Sequence, residues 1–169
     1  MADRIDRRSL GLDLGERRIG VALCDSGGLL ATPYEVVPRS GDRLRDHRRI
    51  AELVDEAGAV RVVVGLPTSL GGDAGPAALA VLAEIEQLRV ALSVPVCTHD
   101  ERLTTVTAQR SLRQAGVNTK KGRKVIDQVA AAVILQAWLD AASTAVAQPH
   151  GLTPNTRPAD STPAGTEQQ

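Results

Sequence analysis

Asp13 sits in the apolar run Ser9-Leu10-Gly11-Leu12-Asp13-Leu14-Gly15. A carboxylate in the interior of such a strand is costly to bury unless it is paired or binds a cation. Gly11 and Gly15 flank it, which implies open space above the strand on its face. Strand chemistry alone leaves two readings: a turn aspartate at Gly15, or a ligand. The second acidic candidate is Glu101, in Asp100-Glu101-Arg102 after the short apolar run Val94-Pro95-Val96-Cys97-Thr98. Ligands of α/β sheets lie outside the carboxyl ends of such strands. Asp100 can instead cap a following helix, and the adjacency of the two acids leaves the choice of ligand open. Asp127 is the third, with Ala130, Ala131 and Ile134 at its helical neighbour positions. Small alanines there allow that helix to lie close to a sheet. Taken alone, Asp127 reads better as an ordinary acid near a helix N-terminus than as a ligand.

Three carboxylates that converge are what a hard divalent cation such as Mg²⁺ or Mn²⁺ requires. Two such ions about 4 Å apart clamp the attacking and leaving oxygens of a phosphodiester. No Ser-His-Asp or Cys-His arrangement competes, and His47, His99 and His150 lack zinc-ligand spacing to one another.

A second pattern favours a phosphate substrate. The interval between Glu101 and Asp127 holds no acid, but it holds Arg102, Arg110, Arg113, Lys120, Lys121, Arg123 and Lys124. Lys+Arg and Asp+Glu are 20 each over the chain, so this segregation is local. A basic loop over 118–122 at the mouth of the site would grip a nucleic-acid backbone. The blander reading is a solvated basic face. Arg43, Arg45, Arg48 and Arg49 are interleaved with Asp42 and Asp46 and read as a plain exposed helix face. With no Phe, one Trp and one Tyr, the composition argues against an aromatic platform for stacking bases and points to recognition by shape and backbone.

These residues need a frame. The patterning predicts strands over 9–15, 18–25 and 29–37, joined by short turns as an antiparallel meander. A helix over 42–57 follows, with Leu44, His47, Ile50, Ala51, Val54 and Ala57 on one face. Residues 60–66 read as a strand buried on both faces. A Gly-rich loop spans 67–76, and Gly65-Leu66-Pro67-Thr68, at the end of the central strand, reads as a wall of the site. A helix over 77–90 leads to a fifth strand over 94–98 and a helix over 104–115. The last helix, over 123–141, places Ile126, Val129, Ala130, Val133, Ile134, Ala137 and Trp138 at spacings of three and four. The order β-β-β-α-β-α-β-α-α gives a mixed five-stranded sheet with helices on both faces, in the α/β class. Residues 1–8 read as a flexible N-terminus, 9–141 as one domain and 145–169 as a disordered tail rich in Pro, Thr and Gln. Cys24 and Cys97 read as buried free thiols of a reducing compartment. No signal peptide or membrane span is evident, so the expected location is the cytoplasm.

The segments LGLDLGERRIGVALCD, VVVGLPTSLGG, DERLTT and KVIDQVAAAVILQAWL resemble the YqgF family, also called RuvX. These are bacterial proteins similar to Holliday-junction resolvases of the RuvC type and described as pre-16S rRNA nucleases. The resemblance runs from about residue 9 to 140. It implies a ribonuclease-H-like fold and maps the family's acidic positions, both catalytic and metal-binding, onto Asp13, Glu101 and Asp127. It thereby favours Glu101 over Asp100. It further implies hydrolysis to 3′-hydroxyl and 5′-phosphate ends, in maturation of the 5′ end of 16S rRNA on a ribosome precursor, or on branched DNA. Junction cutting would require a homodimer. Related resolvases carry a fourth carboxylate one helical turn from the last, where this chain has Lys124 and Ala130.

Two other readings share these features. Asp13-Leu14-Gly15 to Gly20-Val21-Ala22 also matches the phosphate hairpin of actin-like ATPases and sugar kinases. That class needs a second such lobe, and no second hairpin follows. A non-catalytic nucleic-acid or transcription-complex binding module of the same fold is the other. Three retained acids argue against it, because a pure binder gains nothing from carboxylates facing phosphate.

Overall fold

The computed structural model describes residues 8–67, 75–101 and 120–147. Five strands are present: β1 (Ser9–Leu14), β2 (Arg18–Cys24), β3 (Ala31–Pro38), β4 (Arg61–Leu66) and β5 (Val96–Asp100). The described helices are α1 (Arg43–Ala57), α2 (Pro76–Ala91) and α3 (Lys120–Ala147). The sheet order is β3-β2-β1-β4-β5. β1 pairs antiparallel with β2 and parallel with β4, and β5 is parallel to β4. The expected meander running into parallel units is therefore what forms. The helix expected over 104–115 lies outside the described residues.

Alternation along the strands divides the core in two. Leu10, Leu12 and Leu14 of β1 join Val62 and Val64 of β4 beneath Ile50, Leu53 and Val54 of α1 and Val81, Ile85 and Leu88 of α2. On the opposite face, Val63, Ala22 and Cys24 pack against Ala130, Ala131, Ile134, Leu135 and Leu139 of α3. Helices thus cover both faces, and β4 is apolar on both sides because it is buried on both. No described helix is long and apolar enough to cross a membrane.

Several local expectations shift. α1 starts after Asp42, whose carboxylate accepts the Leu44 amide at 2.9 Å. It ends at Gly58 in the left-handed conformation, φ 61°. Its inward face carries Leu53 and Asp46, while Leu44 is 73% exposed. Asp46 turns inward because the Ser40 amide donates to it at 3.0 Å. β5 begins two residues later than expected, so His99 and Asp100 belong to the strand. Cys24 is buried and accepts the Ser9 amide at 3.0 Å, whereas Cys97 on β5 is only partly buried; both are free thiols. α3 is longer at both ends than its apolar period predicts. Lys120, Lys121 and Gly122 are helical rather than looped, because the helix begins before its apolar stripe does.

Candidate functional site

Asp13 lies in β1, 2% exposed, one residue from the strand's end. Strand alternation puts it on the same face as Gly11, the face α3 covers. A Cβ on Gly11 would stand 2.7 Å from the Leu135 Cβ and 3.0 Å from the Ala131 carbonyl. The space at Gly11 is therefore filled by the helix, contrary to the expectation of open space. The room around Asp13 comes from its lateral neighbours instead. Gly20 faces it across β2. The β1–β4 register, which ends at Leu12 with Val64, puts Gly65 beside it one step further on. Both neighbours lack a side chain on the face Asp13 uses, a signal that Gly20 and Gly65 carry in the sequence and that their spacing alone did not disclose.

Glu101 immediately follows β5 and is also 2% exposed. Its Oε1 and the Ile134 Cδ1 occupy the volume that a side chain on Gly65 would need. The carboxylate consequently lies over Gly65, next to Asp13 in the sheet order. His99 completes this row, since it pairs with Gly65 across β5. Burial depresses its pKa below the ordinary value, against an opposing pull from Asp100. Two acids separated by 88 positions in the chain thus both neighbour Gly65, near the carboxyl ends of the parallel strands.

Asp127 belongs to α3, two turns before Ile134; its side chain lies outside the described residues. Lys120, Lys121, Arg123 and Lys124 occupy the first turns of the same helix, and their side chains likewise lie outside. So do Arg102, Arg110 and Arg113 in every respect. Among the described residues no three His, Cys, Asp or Glu side chains cluster to hold a metal ion. Asp13 and Glu101 supply carboxylate oxygens, the donor type a hard divalent cation takes, and the fit of such an ion rests on that chemistry.

A cleft of about 580 Å³ opens beside Asp13, walled by Gly15, Arg39, Arg43, Pro67 and Glu84. Sequence reasoning missed the polar cluster at its base. The Arg39 guanidinium forks onto Glu84 at 2.5 and 3.0 Å and donates through Nε to the Gly15 carbonyl at 3.0 Å. Asp46 stands 3.7 Å away, and His47 Nε2 meets Glu84 at 3.1 Å. Burial alone would push Glu84 up; Arg39, with His47 and Arg43, outweighs it and holds the carboxyl below the usual range. Asp46 is lowered in the same way, with Ser40 and Arg39 overriding its burial. The arginines of α1 also divide. Arg43 lines the cleft, while Arg49 ties Glu35 of β3 to Glu52 and Glu56. Arg43, Arg45 and Arg48 are exposed, as expected of this face, whereas Arg49 is partly buried by its ion pairs.

The family model described as RuvX, a Holliday junction resolvase, matches residues 7–141. The chain belongs to the RuvX family. A Streptomyces avermitilis relative named "Putative pre-16S rRNA nuclease" is 54% identical over 134 residues, 79% of this chain and 85% of the relative. A relative of the same name from Mycobacterium sp. (strain KMS) is 53% identical over 143 residues, 84% and 85% of the two chains. Among solved structures, Thermus thermophilus RuvC in complex with a Holliday junction substrate superposes with a TM-score of 0.53 at 16% identity. That match covers 82% of this chain and 96% of RuvC. It shows the shared ribonuclease-H-like fold.

Proposed function

We propose that this RuvX-family chain is a divalent-metal-dependent nuclease, with Asp13, Glu101 and Asp127 as its metal-binding and catalytic acids. The observation that supports the reading is that two buried acids neighbour Gly65, Asp13 beside it in the sheet and Glu101 over it. A count along the backbone supports Asp127 as the third. Gln136 of α3 bonds to the Ala31 amide at 2.9 Å, and Ala31 pairs with Cys24, beside the start of β1. The helix therefore runs back along β1, its N-terminal part toward Asp13. From Ala131, which covers Gly11, four residues toward the N-terminus advance about 6 Å. From Gly11 to Asp13, two strand residues advance about 7 Å. The count carries the helix backbone toward the Asp13 end of β1, which supports position 127 as the third acid.

Mg²⁺ or Mn²⁺ bound by these acids would neutralise charge at the scissile phosphate and favour ionisation of an attacking water. The fold buries Asp13 and Glu101 from bulk water, and Arg102, Arg110, Arg113, Lys120, Lys121, Arg123 and Lys124 would attract the nucleic-acid backbone. The substrate is structured RNA, the precursor of the 16S rRNA 5′ end within an immature ribosome, in the cytoplasm. The relatives' name supports this. The family's description favours a second reading, cleavage of branched DNA by a homodimer.

Purified protein is incubated with 5′-extended 16S rRNA fragments and with four-way DNA junctions, with Mg²⁺, with Mn²⁺ and with chelator. The expected result is metal-dependent cleavage of the RNA to 5′-phosphate ends, reduced at least about 100-fold in Asp13→Asn, Glu101→Gln and Asp127→Asn. Cleavage that persists with chelator, or that survives Asp13→Asn, refutes the proposal. Junction cutting by a dimer in preference to RNA selects the second reading.

A further inference from the structure

The turn that follows Asp13 is gripped from outside the sheet. The Gly15 amide donates to the Asp13 carbonyl at 3.1 Å, and the Gly15 carbonyl accepts from Arg39 Nε at 3.0 Å. Arg39 holds the turn a second time, its amide donating to the Arg17 carbonyl at 2.9 Å. Nothing larger than glycine fits at position 15, because a Cβ there would stand 2.6 Å from the Arg18 carbonyl. The turn is therefore tight, and one side chain bridges it.

Arg39 does not hold the turn with a loose arm. Its side chain is 15% exposed, and its fork is fixed on Glu84, itself 5% exposed. Glu84 is held in turn by His47, 2% exposed, and Asp46 adds a second carboxylate 3.7 Å from the guanidinium. The cluster joins the β1–β2 turn, the end of β3, α1 and α2. A bidentate Arg–carboxylate pair fixes orientation as well as distance. Such a pair is poor evidence for stability, since apolar residues of similar volume often serve as well. Its location gives it another use. It fixes the backbone two residues from a carboxylate, and about 1 Å of misplacement of such a group costs about 100-fold in rate.

We propose that Arg39, locked by Glu84 and His47, is a positioning residue that fixes the Asp13 carboxylate for cation binding through its bond to the Gly15 carbonyl. The inference rests on the reading of Asp13 as a metal ligand. The role requires no contact between Arg39 and the cation. Its action passes through the Gly15 peptide.

The test measures Mn²⁺ affinity by electron paramagnetic resonance on the full chain, beside circular dichroism and thermal unfolding. The variants are Arg39→Lys, the double variant Arg39→Met/Glu84→Met, and Asp13→Asn. Lysine keeps the charge but cannot fork onto Glu84 while bonding Gly15. The double variant removes the Arg39–Glu84 pair whole, so neither member is left buried without the other. Partners behind a ligand typically set about 10–100-fold of metal affinity. The expected result is a loss in that range for Arg39→Lys and for the double variant, with native circular dichroism, and a larger loss for Asp13→Asn. Folded variants that bind Mn²⁺ as the wild type does, while Asp13→Asn does not, overturn the positioning role and leave the metal site standing. Wild-type binding by Asp13→Asn overturns the metal reading itself and this inference with it.

Discussion

Replacing Gly65 with alanine adds one methyl group at the point where sheet, helix and Glu101 meet. A Cβ there would overlap Glu101 Oε1 and Ile134 Cδ1 and lie 3.0 Å from Ile134 Cγ1. Carbon contacts settle at about 3.5–4.0 Å, so something must move by about 1 Å. Ile134 is fully buried against the sheet, which leaves displacement of α3 or of the Glu101 carboxylate. Overpacking of this kind costs about 1–3 kcal/mol. At about 2–4 °C per kcal/mol for a chain of this size, Tm should fall by roughly 2–12 °C. Gly11→Ala is the matched control. It presses on the same helix, 2.7 Å from the Leu135 Cβ and 3.0 Å from the Ala131 carbonyl, without meeting Glu101. Both variants should lose similar stability. At a temperature where both are folded, Gly65→Ala should cleave about 100-fold more slowly than wild type, and Gly11→Ala by much less. Cleavage rate and Tm are read on the same preparations. Equal rates in the two variants would remove Glu101 from the argument and leave only the helix position. A Gly65→Ala protein with wild-type Tm and rate would refute the packing on which the site is built.

Other expected outcomes follow from the same contacts. Because Arg39 holds the Glu84 carboxyl below its ordinary value of 4.5, Glu84 contributes stability that is present above about pH 4.5. That contribution is lost as pH falls through the lower folded value, so urea midpoints should drop on acidification below pH 4.5, with a shallower drop in Glu84→Gln. Lys120, Lys121, Arg123 and Lys124 stand in the first turns of α3, which hold no acid there. Cations at a helix N-terminus oppose its dipole by a few tenths of a kcal/mol each, so neutralising them should raise Tm slightly while weakening RNA binding and flattening its salt dependence. A fall in Tm with unchanged binding would assign these residues to the fold.

The sheet was legible because its strands differ in kind. The run 60–66 is apolar at nearly every position, as a strand covered on both faces must be, while β1 alternates leucine with Gly and Asp. The helical period of 123–141 likewise announced a helix that lies flat on the sheet, and the alanines at 130 and 131 its close approach. What stayed hidden was relational. Gly20 and Gly65 flank Asp13 only once β2 and β4 are in register. Arg39, Asp46, His47 and Glu84 come from three segments, each with an innocent local reading: a turn arginine, an interleaved helix acid, a core histidine and an acid in an apolar helix. Periodicity assigns faces from hydrophobicity, so a charged residue that is buried because its partner is buried is assigned outward. Asp46 and Glu84 are such residues.

The two sides of the sheet therefore serve the proposed centre differently. On the α3 face, small residues bring elements together: Gly11 and Gly65 admit the helix and the Glu101 carboxylate. On the α1 and α2 face, a charged cluster holds the turn after Asp13 from behind. The first arrangement sets how near the acids can come, and a single methyl group disturbs it. The second sets how firmly one of them is held, and its loss should appear in cation affinity before it appears in the fold. A protein that needed only a stable sheet would be served as well by leucines at 39, 46 and 84. Charges at these positions make sense where the orientation of a backbone turn matters, and Asp13 stands at the start of that turn.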